Sequence, residues 1–189
     1  TLCVVVLGST NVDVVFLSNS ANSTPRMYLH IQQGSLVLCE EAISSLDDFL
    51  TIESCVIKGG SVASSNFFKR AGTGWDFRNC VLYGAGQYGL EGHNTDAGVG
   101  TAYNCVFANN GSHGLSANTQ TVDVRNCVSF GNGTNYDVGT GAWHASSANN
   151  ATSTVSDDAP GASSVTSVAT GDFTDEPNND YHLASVSSS

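Results

Sequence analysis

The sequence predicts an all-β chain wound as a parallel β-solenoid, and three observations lead to that prediction. An Asn-Cys-Val or Ser-Cys-Val string occurs four times, at 54–56, 79–81, 104–106 and 126–128, with two equal intervals followed by a slightly shorter one. The filler between the strings is rich in Gly and Asn, which favour tight turns. No segment shows a sustained helical period of apolar residues. Strand-rich units of this length bury their inner faces only by stacking as successive coils.

Each repeat predicts two or three short strands with fixed places in the stack. We expect the cysteines to face the core, because free cysteine behaves as a small and readily buried hydrophobe. The asparagine before each cysteine is expected at a turn, where the amides of successive coils can hydrogen-bond along the axis. Packing alone explains such a stack, so we predict mostly free thiols. The predicted structural ladder consists of Cys55, Cys80, Cys105, Cys127, Asn79, Asn104 and Asn126.

Composition argues against several classes of partner. The net charge is −11 and the six basic residues are scattered, which disfavours both nucleic acid and an anionic membrane surface. No apolar stretch approaches the roughly 20 residues of a membrane span. No CxxC motif occurs and no Cys lies near a His, so we predict no metal site. The chain opens within a strand-like run without Met or a basic leader, so we expect a piece of a longer protein.

One family shares this pattern. The repeat has an apolar residue two positions before N-C-V and another after it, then an Asn/Gly-rich turn, and then Gly plus an apolar residue. This pattern resembles the right-handed parallel β-helix of the pectate-lyase-like group. The likeness covers about residues 45–138, and the tail "GDFTDEPNNDYHLASVSSS" (171–189) resembles the closing segment of such domains. The resemblance implies one right-handed β-helix, and repeats of this length predict roughly seven to eight coils for the chain. It implies no single activity, because lyases, hydrolases, viral tailspikes and capsid-surface proteins share this fold.

The regions of the chain are assigned to one domain. Residues 1–138 are expected to form the coils, those of 1–44 being less regular. Residues 139–170 have a linker-like Ser/Ala/Thr composition, but the resemblance implies an irregular segment packed on the solenoid. The resemblance also implies a closing strand and tail over 171–189.

The strongest charged pattern consists of Asp76 and Arg78 and their counterparts Asp123 and Arg125, joined in register by Glu53. One outer row is predicted to hold Glu53, Arg78, Tyr103 and Arg125, and the next row Thr51, Asp76, Thr101 and Asp123. Under an enzymatic interpretation the acids and arginines would be catalytic, and calcium would be the cofactor of a lyase. The competing interpretation, which we favour, is surface ion pairing between strand neighbours, since outward strand positions are polar in any case. We therefore predict no catalytic residue and no cofactor.

Tyrosines offer a second kind of site, since a ring beside a turn can stack on a sugar. The candidates for carbohydrate binding are Tyr83, Tyr88, Tyr103 and Tyr136. The function we expect is a non-catalytic structural or adhesive module, outside a cell or on a virion, of the capsid-decoration or tailspike type. A homotrimer is what the resemblance implies, with other virion or cell-surface proteins or a surface polysaccharide as partners. The alternatives are a polysaccharide lyase or glycoside hydrolase, and a carbohydrate-binding domain.

Overall fold

The structure is a computed structural model that describes residues 4–7, 11–17, 26–38, 50–58, 75–92, 98–153, 158–169, 172–175 and 180–183. These residues form strands, turns and irregular segments, with no α-helix among them. Parallel strands stack into a β-solenoid, which confirms the predicted all-β fold class. Three complete coils lie within the described residues, whereas the prediction of seven to eight concerned the whole chain.

The solenoid has three faces, each a ladder of parallel strands. β4 (Leu50–Lys58) belongs to two of them, because its first half pairs with β5 and its second half with β6. The first face continues through β5 (Trp75–Arg78), β8 (Val99–Tyr103), β11 (Thr121–Arg125) and β14 (Ala142–Trp143). The second face continues through β6 (Val81–Tyr83), β9 (Val106–Ala108), β12 (Val128–Phe130) and β15 (Ala151–Thr152). The third face consists of β7 (Tyr88–Glu91), β10 (His113–Ser116) and β13 (Thr134–Asp137).

The pairing register follows the cysteine intervals. Val81, Val106 and Val128 each come directly after a cysteine of the repeat, and Val106 pairs with Val81 on one side and with Val128 on the other. A slip of one residue would turn every side chain of a strand to the opposite side, so this agreement determines which residues face outward.

The N-terminal strands differ from a parallel coil. β1 (Val4–Leu7) and β2 (Asn11–Leu17) both pair antiparallel with β3 (Arg26–Leu38), and β3 pairs parallel with β4. Only eight residues separate β2 from β3. A parallel crossover needs a dozen or more, so a link of this length favours an antiparallel hairpin.

The corner between the first and second faces has one backbone conformation on every coil. The residue before each cysteine position is left-handed, with φ between 53° and 59° at Ser54, Asn79, Asn104, Asn126, Asn149 and Ser163. Asparagine tolerates this conformation better than most residues. The side-chain amide of Asn104 donates to Asn79 and that of Asn126 to Asn104, each at 3.1 Å, and Asn149 donates to Asn126 at 3.3 Å. The asparagines thus form one exposed hydrogen-bonded row.

Apolar side chains form the main core of the first three coils. Cys80, Cys105 and Cys127 are buried free thiols stacked in this core. The side chain of Cys55 and all of Cys3 and Cys39 lie outside the described residues. The Trp75 indole packs directly against Gly100, and a Cβ added to Gly100 would lie 2.3 Å from the indole. Trp143, three coils further along the same row, packs against the same core.

The interior becomes polar in the coil over 142–153, which belongs to the region predicted to be irregular. Here β14 and β15 continue the first and second faces in parallel. Ser147 occupies the inner row after Val124, and Asn150 occupies the row after Cys127. Each hydrogen-bonds to main-chain groups of the preceding coil. We call the inner residues Ser147, Asn150 and Thr152 the polar cap.

Two C-terminal strands follow this cap along the chain. β16 (Phe173–Asp175) and β17 (Asp180–Leu183) pair antiparallel, which places a strand in the predicted closing segment. Phe173 stacks on Phe130 with ring centroids 4.5 Å apart, and thereby covers apolar residues outside the second face.

Candidate functional site

The outer side of the first face carries the charged residues that the sequence singles out. Glu53, Arg78, Tyr103 and Arg125 form one row, and Thr51, Asp76, Thr101 and Asp123 form the next. This register is the predicted one, so the repeat arithmetic is confirmed here. The first-face cluster is defined as Asp76, Arg78, Thr101, Tyr103, Asp123, Arg125 and Ser146.

Asp76 is held at the N-terminal end of the cluster. Its carboxylate accepts a hydrogen bond from the Thr101 hydroxyl at 2.6 Å and forms an ion pair with Arg78 at 2.8 Å. The ion pair raises the pKa of Arg78 further, chiefly through the hydrogen bond to Asp76. Asp76 thus joins its own strand to the next.

Asp123 has the larger set of partners. Arg125 binds it in a bidentate manner, with Nε 3.1 Å from one carboxylate oxygen and Nη2 2.7 Å from the other. The Tyr103 hydroxyl donates to it at 2.7 Å and the Ser146 hydroxyl at 2.9 Å. Burial alone would raise the pKa of Asp123, but the hydrogen bonds from these three residues outweigh it and lower that pKa. Asp123 is therefore a stabilised carboxylate anion.

Tyr103 lies between the two arginines. The guanidinium carbon of Arg78 is 5.8 Å from the ring centroid and that of Arg125 is 5.2 Å away, both within cation–π range. Burial, and then the hydrogen bond to Asp123, raise the pKa of Tyr103, so the phenol stays protonated and donates. We call Arg78, Tyr103 and Arg125 the arginine ladder.

His144 and Ser146 join this site although no sequence pattern singles them out. Val122 and its pairing partner Trp143 are separated by two fewer residues in the sequence than Ser129 and its partner Thr152. The fourth coil therefore contains two extra residues between Trp143 and Thr152, and His144 and Ser146 lie on the resulting bulge. The two extra residues loop outward above Asp123, and bulges are common beside functional sites. Extending the repeat through Asn149 in the sequence, and noticing the changed interval, would have found them.

Ser146 is bound to both Asp123 and His144. The Ser146 hydroxyl donates its only hydrogen to the Asp123 carboxylate, and His144 Nδ1 contacts the Ser146 hydroxyl oxygen. His144 Nδ1 also accepts a hydrogen bond from the Ser146 main-chain amide at 3.3 Å, so the imidazole is bound to the same turn of the chain. The arrangement fixes the bulge on the first face.

The remaining predicted residues lie elsewhere. Glu53 is half-buried in the row of Arg78, to which it is electrostatically coupled. Tyr83 packs on the second face in the apolar cluster that includes Phe173. Tyr88 lies on the third face, stacked on His113 at 4.8 Å between centroids. The structure therefore brings Asp76, Arg78, Tyr103, Asp123 and Arg125 together and separates Tyr83 and Tyr88 from them.

Tyr136 is not a surface residue, which corrects its placement among the exposed tyrosines. It is 3% exposed and packs in the main core, edge-on to Trp143 at 6.4 Å between centroids. Burial raises its pKa well above the ordinary tyrosine value. The residue before it, Asn135, is also buried, so the usual in-and-out alternation of a strand is broken at this point. Tyr136 cannot stack on a saccharide from this position.

The described residues offer little support for a metal centre. No group of three or more His, Cys, Asp or Glu side chains in that part of the chain could hold a metal ion. Within the same residues, no helix is long and apolar enough to cross a membrane.

The acids and the arginines of the cluster differ in depth. The side chains of Asp76 and Asp123 are 10% and 6% exposed, whereas those of Arg78 and Arg125 are 50% and 43% exposed. The carboxylates are thus occupied beneath the surface and the guanidinium groups lie above them. The side chains of the cluster that are most exposed to solvent are therefore positively charged hydrogen-bond donors, although each Asp–Arg ion pair is formally neutral.

Comparison with protein-family models, with curated proteins and with solved structures finds no match for this chain. The fold and the first-face cluster therefore rest on the chain's own geometry.

Proposed function

We propose that this chain is a non-catalytic surface module of a structural or adhesive kind, whose contact face is the outer side of the first face. The observation that carries the proposal is the state of Asp123. A general acid in a hydrolase needs a raised pKa, whereas that of Asp123 is lowered by three hydrogen-bonding partners. A carboxylate fixed in this way is suited to hold Arg125 in position.

The arginine ladder supports an adhesive role. Its three side chains stack on successive coils, and each arginine is also bonded to an aspartate on its own strand. Groups fixed before a ligand arrives lose little conformational entropy on binding. The face is therefore suited to contact an extended partner, such as a polysaccharide on a cell surface.

The finer assignment is to a virion, as a capsid-decoration or tailspike-type protein of the pectate-lyase-like group. It rests on the sequence resemblance, the low content of charged residues and the regular coils. A homotrimer in solution, measured by light scattering, would support it. A strict monomer at high concentration would count against it.

An enzyme acting on polysaccharide is the second candidate, and one observation favours it. Asp76 and Asp123 are separated by one strand, so their backbones lie about 9.6 Å apart. That is close to the carboxyl separation of roughly 6.5–9.5 Å in inverting glycosidases. The lowered pKa of Asp123 opposes the general-acid role for this residue, which leaves it only the role of the ionised base.

One experiment separates the two candidates. Wild-type protein and the Asp76→Asn and Asp123→Asn variants are incubated with a panel of polysaccharides, with and without calcium. Retention of the wild type on at least one immobilised polysaccharide, with no chain shortening, is the expected result. Shortening of a polysaccharide by the wild type, lost in both variants, would show that the module is an enzyme.

A further inference from the structure

The first-face cluster presents hydrogen-bond donors to solvent. Its carboxylates are almost fully covered, and Asp123 already accepts from three neighbouring side chains. The guanidinium groups above them are about half exposed and can only donate. A ligand above the cluster is therefore met by donors, with Glu53 beside Arg78 as the acid of the same row. Anionic oxygens accept from guanidinium groups most strongly.

The positions of the two arginines restrict the geometry of the ligand. Their guanidinium carbons lie on either side of one tyrosine ring, at 5.8 Å and 5.2 Å from its centroid, so their separation cannot exceed the sum of those two distances. The direction between them follows the strand stacking, since Arg78, Tyr103 and Arg125 are paired rungs of one row. A linear ligand that uses both arginines must lie along the solenoid axis.

The charge of the whole chain opposes a densely charged ligand. The net charge is −11, so every anionic group of a ligand is repelled by the protein at distances within the Debye length, about 8–10 Å at physiological salt. Only the anions that meet Arg78 or Arg125 gain a charge-assisted hydrogen bond in return. A ligand with an acid opposite each arginine and an uncharged unit over Tyr103 meets both conditions.

From these observations we propose that the arginine ladder binds a linear glycan that carries a carboxylate on every second sugar. The neutral sugar lies over the edge of Tyr103, and its two acidic neighbours bind Arg78 and Arg125. This ligand class rests on the proposed adhesive function of the same face. It differs from a fully acidic polyuronate, which has a carboxylate on every sugar.

Titration calorimetry with three hexasaccharides tests the proposal. The probes are a hyaluronan hexasaccharide with alternating carboxylates, neutral cellohexaose and fully acidic hexagalacturonate. We expect the hyaluronan probe to bind at least tenfold more tightly than either of the others. Equal or tighter binding of cellohexaose or hexagalacturonate would overturn the alternating class and leave the adhesive function standing. Failure of all three probes and of the polysaccharide panel to bind would overturn both.

Arginine variants locate the binding site. Arg78→Gln and Arg125→Gln should each weaken binding of the hyaluronan probe about tenfold to a hundredfold, as expected for loss of one charge-assisted hydrogen bond. Lys58→Gln is the matched control, because it removes the same charge from an exposed residue on the second face and should leave the affinity unchanged. Thermal melts establish that each variant is folded. A further variant, Arg78→Lys, keeps the positive charge but lacks the paired N–H donors of the guanidinium group. Unchanged affinity in both arginine variants would place the site elsewhere.

Discussion

Replacement of Asn150 by alanine should destabilise the solenoid more than any single change on its surface. Asn150 is fully buried in the polar cap. Its side-chain oxygen accepts from the Cys127 amide at 2.9 Å, and its nitrogen donates to the carbonyl oxygens of Val124 at 2.8 Å and Pro160 at 2.7 Å. One side chain thus joins the last apolar coil to the segment that covers it.

The expected magnitude follows from the groups that alanine would leave unpaired. The Val124 carbonyl keeps a hydrogen bond from the Ala148 amide at 3.0 Å, so the Cys127 amide and the Pro160 carbonyl lose most. A buried polar group without a partner costs about 1–3 kcal/mol, so the free energy of unfolding should fall by roughly 2–6 kcal/mol. This is a large part of the 5–15 kcal/mol typical of a domain, as a rough guide.

Urea unfolding followed by tryptophan fluorescence measures this change, and the neighbouring residue provides the control. Asn149→Ala removes one exposed hydrogen bond and places alanine at φ 58°, which costs about 1–2 kcal/mol. We expect Asn150→Ala to be clearly the more destabilising of the two. A smaller loss for Asn150→Ala than for Asn149→Ala would refute the role assigned to the polar cap.

Three further outcomes are expected. Gly100→Ala should destabilise the chain by about 1–3 kcal/mol, since the new Cβ would lie 2.3 Å from the Trp75 indole; an unchanged urea midpoint would contradict that packing. Because the folded-state pKa of Asp123 is lowered, its carboxylate contributes stability above the unfolded value of about 3.9, and this contribution is lost as the pH falls through the folded pKa. Melting temperatures between pH 2 and 7 should therefore show wild type and Asp123→Asn converging at acid pH, whereas a constant difference would argue against the shift. The three core cysteines should resist a thiol reagent in the native protein, because they are buried and burial raises the pKa of Cys105, and they should react after unfolding; rapid native labelling would contradict this.

The fold class and the register of the outer rows were predictable because stacking imposes one rule on every coil. Cys80, Cys105 and Cys127 identify the rungs, and counting from them places Arg78 beside Tyr103. No contact specific to this chain is needed for that inference. The same counting indicates that the asparagines share one turn, since the left-handed backbone recurs at the same point of each coil.

Departures from the repeat were not predictable by the same counting. Tyr136 follows another inward residue, Asn135, so alternation gives no indication of its burial. The antiparallel pairing of β2 with β3 depends on the length of one link and not on strand composition. Ser146 belongs to the site because a bulge brings it to Asp123. The residues around this bulge have a low-complexity composition, so the sequence does not show that the coil continues there.

The bulge allows surface residues of this coil to change in sequence independently of the core residues. Trp143 and Ser147 occupy inner rows on either side of it, so the two extra residues of this coil project outward without displacing a core side chain. Insertions at this bulge can therefore lengthen or replace the groups above Asp123 at little cost to folding. The outer groups of this coil can therefore change in sequence while the coils beneath them stay fixed.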